Sequence, residues 1–318
     1  MPQELSHSDL VYSTALKASA AVLSPVAASW SRCLNLYRLQ PEAAAKPRQV
    51  EESAFREARQ RMELLIGNAT DEVDRLYQMI GRAGCCIVLA DAEGIVVDRR
   101  GSPADDVDFR RLGLWQQNVW SEASAGTNGI GTALADERAV IIHRDQHFMS
   151  ANIGLSCATA PIRDHLGRVT AALDVSTCRS DVNDMTLAVL SQAVRDSAAR
   201  VECNLFRSAY AGARILVVPQ ANTLSALIAV DGDDIILGAT KAARMALKLD
   251  DQMIAQGLPA TDALRETRGD PSGDLDDAER AAIRRVLSRA QGNVSLAAQM
   301  LGISRATLHR KLKRFQIQ

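Results

Sequence analysis

The stretch from Asp276 to Phe315 constrains this chain more than any other, because its caps, small residues and glycines recur at fixed offsets. Asp276 and Asp277 stand where a helix begins, ahead of the apolar positions Ile283, Val286, Leu287 and Ala290. Gln291-Gly292-Asn293 ends that helix, with Gly292 suited to its C-terminus. Asn293 or Ser295 caps a short second helix that reaches Met300. Leu301-Gly302-Ile303-Ser304 is then a tight apolar turn, with Gly302 where a positive φ is needed. Ser304 caps a third helix through Phe315. Ala298 sits where two helices must approach closely, and Leu308 sits where the third helix packs inward. Helix, short helix, glycine turn, basic helix is the helix-turn-helix arrangement.

Charge separates this segment from the rest. Asp276 to Gln318 carries nine Lys/Arg against three Asp/Glu, whereas the remainder carries 28 against 35. The overall charge of −1 therefore hides a basic tail on an acidic body. Between Ser304 and Phe315 stand Arg305, Arg310, Lys311, Lys313 and Arg314, with no acidic residue. That is the electrostatic footprint of a nucleic-acid-binding element.

Read together, Asn293 to Lys313 resembles the Fis-type helix-turn-helix that ends bacterial enhancer-binding regulators. The resemblance implies double-stranded DNA as partner and a dimer that sets two recognition helices on one face of the duplex. Ser304, Arg305 and Thr307 occupy the turn that enters the major groove. Arg305 is suited to a bidentate contact with guanine. Lys311, Lys313 and Arg314 lie toward the far end and reach phosphates, and Arg310 can do either.

The middle of the chain reads as strands. Gly84 to Asp98 gives two, around Asp91-Ala92-Glu93-Gly94. Ala139 to His143 is a third. Ala158 to Arg163 and Val169 to Val175 flank a hairpin turn at Asp164-His165-Leu166-Gly167. Leu187, Leu190, Val194, Ala198, Val201 and Leu205 follow at helical spacing. A five- or six-stranded antiparallel sheet with helices beside it is an α+β layout. Trp120 to Ala135, with its Gly-Thr-Asn-Gly-Ile-Gly-Thr core, Gln146 to Met149, Gly154 to Arg163 and the opening Pro25 to Cys33 resemble the GAF-type sensor of acetoin catabolism regulators. The resemblance spans nearly all of residues 20–205 and implies a small-molecule effector. Ala226 to Leu247 reads as strand, turn, strand and helix, and is similar to the start of a PAS-like module. The expected boundaries are a helical region at 1–62, a GAF-like domain at 63–208, a PAS-like segment at 209–261, a linker at 262–274 and the helix-turn-helix at 275–318.

Candidate effector contacts follow from scarcity and position. Aromatics are only 4% of the chain, so Trp115 and Trp120 stand out as pocket walls. Asn128 is placed to cap the helix after it. His147 belongs to the His-Phe pair of the resemblance, and Cys157 to its Gly-Leu-Ser-Cys run. Glycines 126, 129 and 131 have the spacing GxxGxG and follow no parallel strand, so a dinucleotide loop is set aside. His143 and His147 are four apart, but His143 ends a strand, so no metal is expected. The six cysteines form no repeated CxxC pattern, which suits free thiols in a reduced compartment.

Regulators of the acetoin type place an ATPase between sensor and reader. These 318 residues contain no GxxxxGK[ST] loop and no Gly-Lys pair. The expectation is a ligand-responsive, DNA-binding transcription regulator without ATPase activity or cofactor, dimeric and cytoplasmic. RNA polymerase stands as a further partner, and no membrane is involved. Two other readings stay open: an architectural DNA-binding protein with a degenerate sensor, and a thiol-dependent methionine sulfoxide reductase.

Overall fold

The computed structural model describes residues 6–17, 22, 24–43, 48–219, 221, 223–266, 279–280, 282–284, 286–287, 290, 292–315 and 317. The chain divides into two compact units, Met1–Ala260 and Thr261–Gln318.

The first unit is built on a five-stranded antiparallel sheet in the order β2-β1-β5-β4-β3. Its strands are β1 (Cys85–Asp91), β2 (Val96–Arg100), β3 (Val140–His143), β4 (Ser156–Arg163) and β5 (Val169–Thr177). The long central pairing sets Cys86 opposite Ser176, Val88 opposite Asp174 and Ala90 opposite Ala172. Next to it, Cys157 lies opposite Ser176 and Thr159 opposite Asp174. All seven residues of β1 are buried because both faces of the sheet are covered.

Alternation along each strand sorts the residues into two layers. Ile87, Leu89, Ala160, Ile162, Leu173 and Val175 pack against the helices Glu63–Ile80 and Asp184–Ala209. Those helices contribute Leu65, Ala69, Val73 and Leu76, and Leu190, Val194, Ala198, Val201 and Leu205, at the spacing of one helical face. On the other side Cys86, Val88, Ala90, Cys157 and Ala172 meet Phe109, Leu114, Trp120, Ile130 and Leu155. These come from the helices Asp106–Leu112 and Gly129–Ala135, from the loop between them and, for Leu155, from the approach to β4. N-terminal helices His7–Ala15 and Pro25–Ser31 form a small cluster of their own, in which Val11, Trp30 and Cys33 pack on Phe148 and Met149.

One turn is used three times. Asp91 Oδ1 accepts from the amides of Glu93 and Ile95. Asp164 Oδ1 accepts from Leu166 and Arg168, and Asp231 Oδ1 from Asp233 and Ile235. The fourth residue of each turn has positive φ: Gly94 at 81°, Gly167 at 84° and Asp234 at 66°. Aspartate supplies the local acceptor and glycine the left-handed backbone. At Gly94 a side chain is also barred by space, since a Cβ would lie 2.6 Å from the Ser121 amide nitrogen.

Beyond the helix Asp184–Ala209 comes a three-stranded sheet, β6 (Arg214–Val217), β7 (Leu227–Val230) and β8 (Ile236–Ala239), in that order, followed by the helix Lys241–Leu247. Of these, β6 is not visible in the sequence. Its four residues are none of them fully buried, so they carry no clear apolar alternation. A second difference lies at 262–266. The sequence opens a linker there, but the helix Ala260–Glu266 occupies it, because Ala260 and Ala263 are buried. The Gly and Pro signals at 269–273 lie outside the described residues.

In the second unit the described residues between 279 and 287 are helical. Gly292 and Gly302 have φ of 82° and 65°. Asn293 accepts from the amides of Ser295 and Leu296 and caps the helix Val294–Met300. Ser304 accepts from Thr307 and caps the helix Arg305–Arg314. Ile283, Ala290, Ala297, Ala298, Leu308 and Phe315 are the core, with Leu301, Ile303 and Leu312 beside them. Asp276 and Asp277, the expected caps of the first helix, lie outside the described residues.

Candidate functional site

The face of the five-stranded sheet turned toward Trp120 carries a row of polar side chains. Thr159 donates to Asp174 Oδ1 at 2.5 Å, and Ser176 lies 2.6 Å from Asp174 Oδ2. Ser176 Oγ is also 3.1 Å from Cys157 Sγ, which in turn lies 3.4 Å from His147 Nε2. His147 Nδ1 lies 2.9 Å from the Arg144 carbonyl, so that nitrogen donates and Nε2 keeps its lone pair for the Cys157 thiol. At the other end, Arg99 Nε donates to Cys86 Sγ at 3.1 Å. Only β-strand register brings these residues together, since they come from four strands and one loop.

Burial sets the ionisation here. It raises Asp174 to about 6 and lowers His147 to about 4, the latter only partly opposed by the Arg144 carbonyl. Burial likewise pushes Cys86 up to about 12 despite Arg99, and Cys157 well above the ordinary thiol value. These thiols are protonated at neutral pH and are poor nucleophiles. Cys86 and Cys157 flank Ser176 on neighbouring strands, roughly 9–10 Å apart at their Cα atoms, too far for a disulfide. All six cysteines are free.

Of the residues singled out in the sequence, Trp120, Asn128, His147 and Cys157 are brought together on this face, and all four are buried. Trp120 donates from its indole to the Gly113 carbonyl at 2.7 Å. Asn128 accepts from the Gly131 amide at 2.9 Å, capping the helix Gly129–Ala135. It also donates to the carbonyls of Trp120 and Gly126. Gly129 lets the helix sit directly on the strands, because a Cβ there would clash with Thr159, Asp174 and Cys157. Trp115 lies apart from this group, half-buried between two guanidiniums, Arg99 at 4.3 Å and Arg110 at 4.0 Å from its ring centroid.

The N-terminal segment locks the loop over this face. Ser29 donates to Glu122 Oε1 at 2.5 Å and lies 2.6 Å from Thr127 Oγ1. Arg32 grips Glu122 with two nitrogens at 2.9 Å and Asp136 at 2.8 Å, and that pairing raises its pKa. Trp30 donates to the Gln146 carbonyl, next to His147. No local pattern singles out Glu122, Asp174 or Arg99, because each owes its role to partners brought in by the fold.

In the second unit the helix Arg305–Arg314 presents Arg305, Ala306, His309, Arg310, Lys313 and Arg314 to solvent. The expected base-reading turn is divided. Ser304 and Thr307 bond each other at 2.8 Å and serve the cap, whereas Arg305 is exposed. Lys311 pairs with Glu279 of the first helical stretch of this unit, so its charge is partly neutralised. His309, four residues after Arg305, shares the exposed face and was not singled out by its sequence.

Comparison with known proteins fits both units. A profile described as "MimR, N-terminal domain" matches residues 6–203, and one described as "Bacterial regulatory protein, Fis family" matches residues 274–315. The acetoin catabolism regulatory protein of Cupriavidus necator is 32% identical over 69% of this chain and 34% of its own length. The propane 2-monooxygenase operon transcriptional activator MimR of Mycolicibacterium smegmatis is 32% identical over 54% of this chain and 28% of its own. The match thus spans about a third or less of these relatives. Among solved structures, the N-terminal part of Escherichia coli DhaR, crystallised in complex with DhaL, shares the fold at a TM-score of 0.53. It is 18% identical and covers 71% of this chain and 77% of that one. Among the described residues no helix is long and apolar enough to cross a membrane. The chain belongs to the family defined by the MimR N-terminal domain, and it carries a Fis-family helix-turn-helix segment at residues 274–315.

Proposed function

We propose that the first unit binds a small molecule on the polar face of its sheet and that this binding controls the attachment of the second unit to operator DNA. The observation that carries this reading is the buried row from Arg99 to His147. Polar groups withdrawn from water cost stability, and a face serving packing alone would be apolar. Trp120 forms a wall of the site, Cys157 and His147 its polar floor, and Asn128 the strut that holds the covering helix. Trp115 closes the Arg99 end. The relatives named for acetoin and propane support small alcohols, aldehydes and ketones as the first compounds to test. A thermal-shift screen of the full chain against such metabolites tests the reading, because a ligand of the native state raises its melting temperature by mass action. No shift at millimolar concentrations would count against it.

The chain acts on DNA as a cytoplasmic homodimer and hydrolyses no ATP, since these residues hold no phosphate-cradling loop. RNA polymerase is the partner through which a bound regulator of this kind acts. Arg305→Ala should cost roughly 1–3 kcal/mol on the operator and little on random DNA. Lys313→Ala should weaken both DNAs alike and lower the salt slope by about one. Equal loss on both DNAs from Arg305→Ala, with a lowered salt slope, would make Arg305 a phosphate contact instead. Footprinting separates this regulator from an architectural protein, which would protect DNA broadly.

A further inference from the structure

The polar row ends at a cation whose contacts are incomplete. β2 places Arg99 opposite Val88, so its side chain rises on the same face as Cys86 and Asp174. That side chain is only 9% exposed. Nε donates to Cys86 Sγ at 3.1 Å, and Nη1 lies 2.8 Å from Asp106 Oδ1. The guanidinium carbon is 4.3 Å from the centroid of Trp115 and 5.6 Å from that of Phe109. Nη2 is also buried, yet it has no hydrogen-bond partner among the described residues. Gly101 leaves it room, because a Cβ there would collide with Nη2. A guanidinium N–H taken out of water without an acceptor is costly, and a ligand oxygen removes that cost.

The geometry points to Arg99 Nη2 as the anchoring donor for an uncharged carbonyl or hydroxyl oxygen of a small effector, with Trp115, Phe109 and Cys86 around it. This rests on the sensing reading above and adds the residue and the charge class. Charge selects the class. Asp106 already balances the guanidinium, and Asp174 stands on the same face across Val88, whereas the second cation on Trp115, Arg110, is exposed and screened by water. A carboxylate ligand would face both and would be repelled. A neutral oxygen meets no such repulsion, and the aromatic rings suit a small body of low polarity.

Butanone and propanoate have nearly the same shape and differ in charge, so they separate the classes. The full chain is titrated calorimetrically with butanone, 2-butanol and propanoate, together with the variants Gly101→Ala and Arg99→Lys. Gly101→Ala disturbs Nη2 without removing the Asp106 pair, and circular dichroism checks that each variant is folded. Butanone and 2-butanol should bind the wild type, with propanoate at least about tenfold weaker. Both variants should weaken butanone roughly 10- to 100-fold, as expected for loss of a hydrogen bond to a charged donor. Equal or tighter binding of propanoate overturns the charge class. Unchanged butanone binding in both variants overturns Arg99 as the anchor while leaving sensing intact. Binding of none of the three overturns this inference, and the metabolite screen then decides sensing separately.

Discussion

The two faces of the five-stranded sheet are built from the same strands and do different things. β5 gives Leu173 and Val175 to one side and Asp174 and Ser176 to the other. The first side is mainly apolar and covered by two long helices, and its charged residues, Asp98 and Arg100 of β2, sit at the edge and pair with each other and with Asp74. The second holds a carboxylate, a guanidinium, an imidazole and two thiols among its apolar residues. The contrast teaches that stability and polarity have been assigned to opposite sides. Buried polar groups on one face cost stability, and the larger apolar burial on the other face offsets that cost.

The sharpest way to break this division is to damage the apolar face. Leu173 is fully buried, and Leu173→Ala should destabilise the first unit by about 2–5 kcal/mol in urea unfolding. Effector affinity, measured where the variant is still folded, should be unchanged. A loss of affinity as large as the loss of stability would mean that the faces are coupled.

Asn128→Ala removes a cap and two buried donors at once. The expected cost is about 2–3 kcal/mol, with the covering helix Gly129–Ala135 losing hydrogen-exchange protection before the sheet does.

On the polar face the sign reverses. Burial raises Asp174 to about 6, above its unfolded value near 3.9. The folded state therefore favours the protonated carboxyl, and that advantage, complete below about pH 4, is lost as the pH rises through 6. Asp174→Asn should match the wild type near pH 4 and exceed its stability at pH 7 by roughly 1–3 kcal/mol. His147 works the other way. Its pKa is lowered to about 4, so its contribution is present above 6.5 and is lost as the pH falls toward 4. Urea melts of Asp174→Asn and His147→Gln from pH 4 to 7 should thus differ from the wild type with opposite slopes. Parallel curves would refute this assignment.

The smallest effect should come from the rim. Arg110→Ala removes one of the two guanidiniums that stack on Trp115, at an exposed position, and should cost only about 0.5–1 kcal/mol. A change in tryptophan fluorescence would accompany it, with the Cys86–Arg99 contact left in place.

What was legible in the sequence depends on how far apart the partners lie. Asn293 and Ser304 cap their helices, Gly302 turns with positive φ, and Leu308 packs inward, all within a few residues of one another. The strands of the central sheet were legible for the same reason, because alternation and an Asp-x-x-Gly turn are local signals. β6 was not, because half-exposed Arg214-Ile215-Leu216-Val217 becomes a strand only by pairing with β7. Ser304 and Thr307 show the limit from the other side. The cap at Ser304 was legible, but the contact of its hydroxyl with that of Thr307 was a matter of geometry.

The sequence by itself determined the helix-turn-helix, the α+β layout, the basic last helix and the helix that Asn128 caps. Each is fixed by backbone preferences, caps and periodicities that act over one or two turns. Only the tertiary structure decided that Arg99 meets Cys86 from 13 residues away, that Cys157 meets His147, and that Ser29 and Arg32 reach Glu122 across some 90 residues. These contacts depend on strand register and on how the covering loop closes. A buried charge is identified by the partners that surround it, and those partners are chosen by the fold.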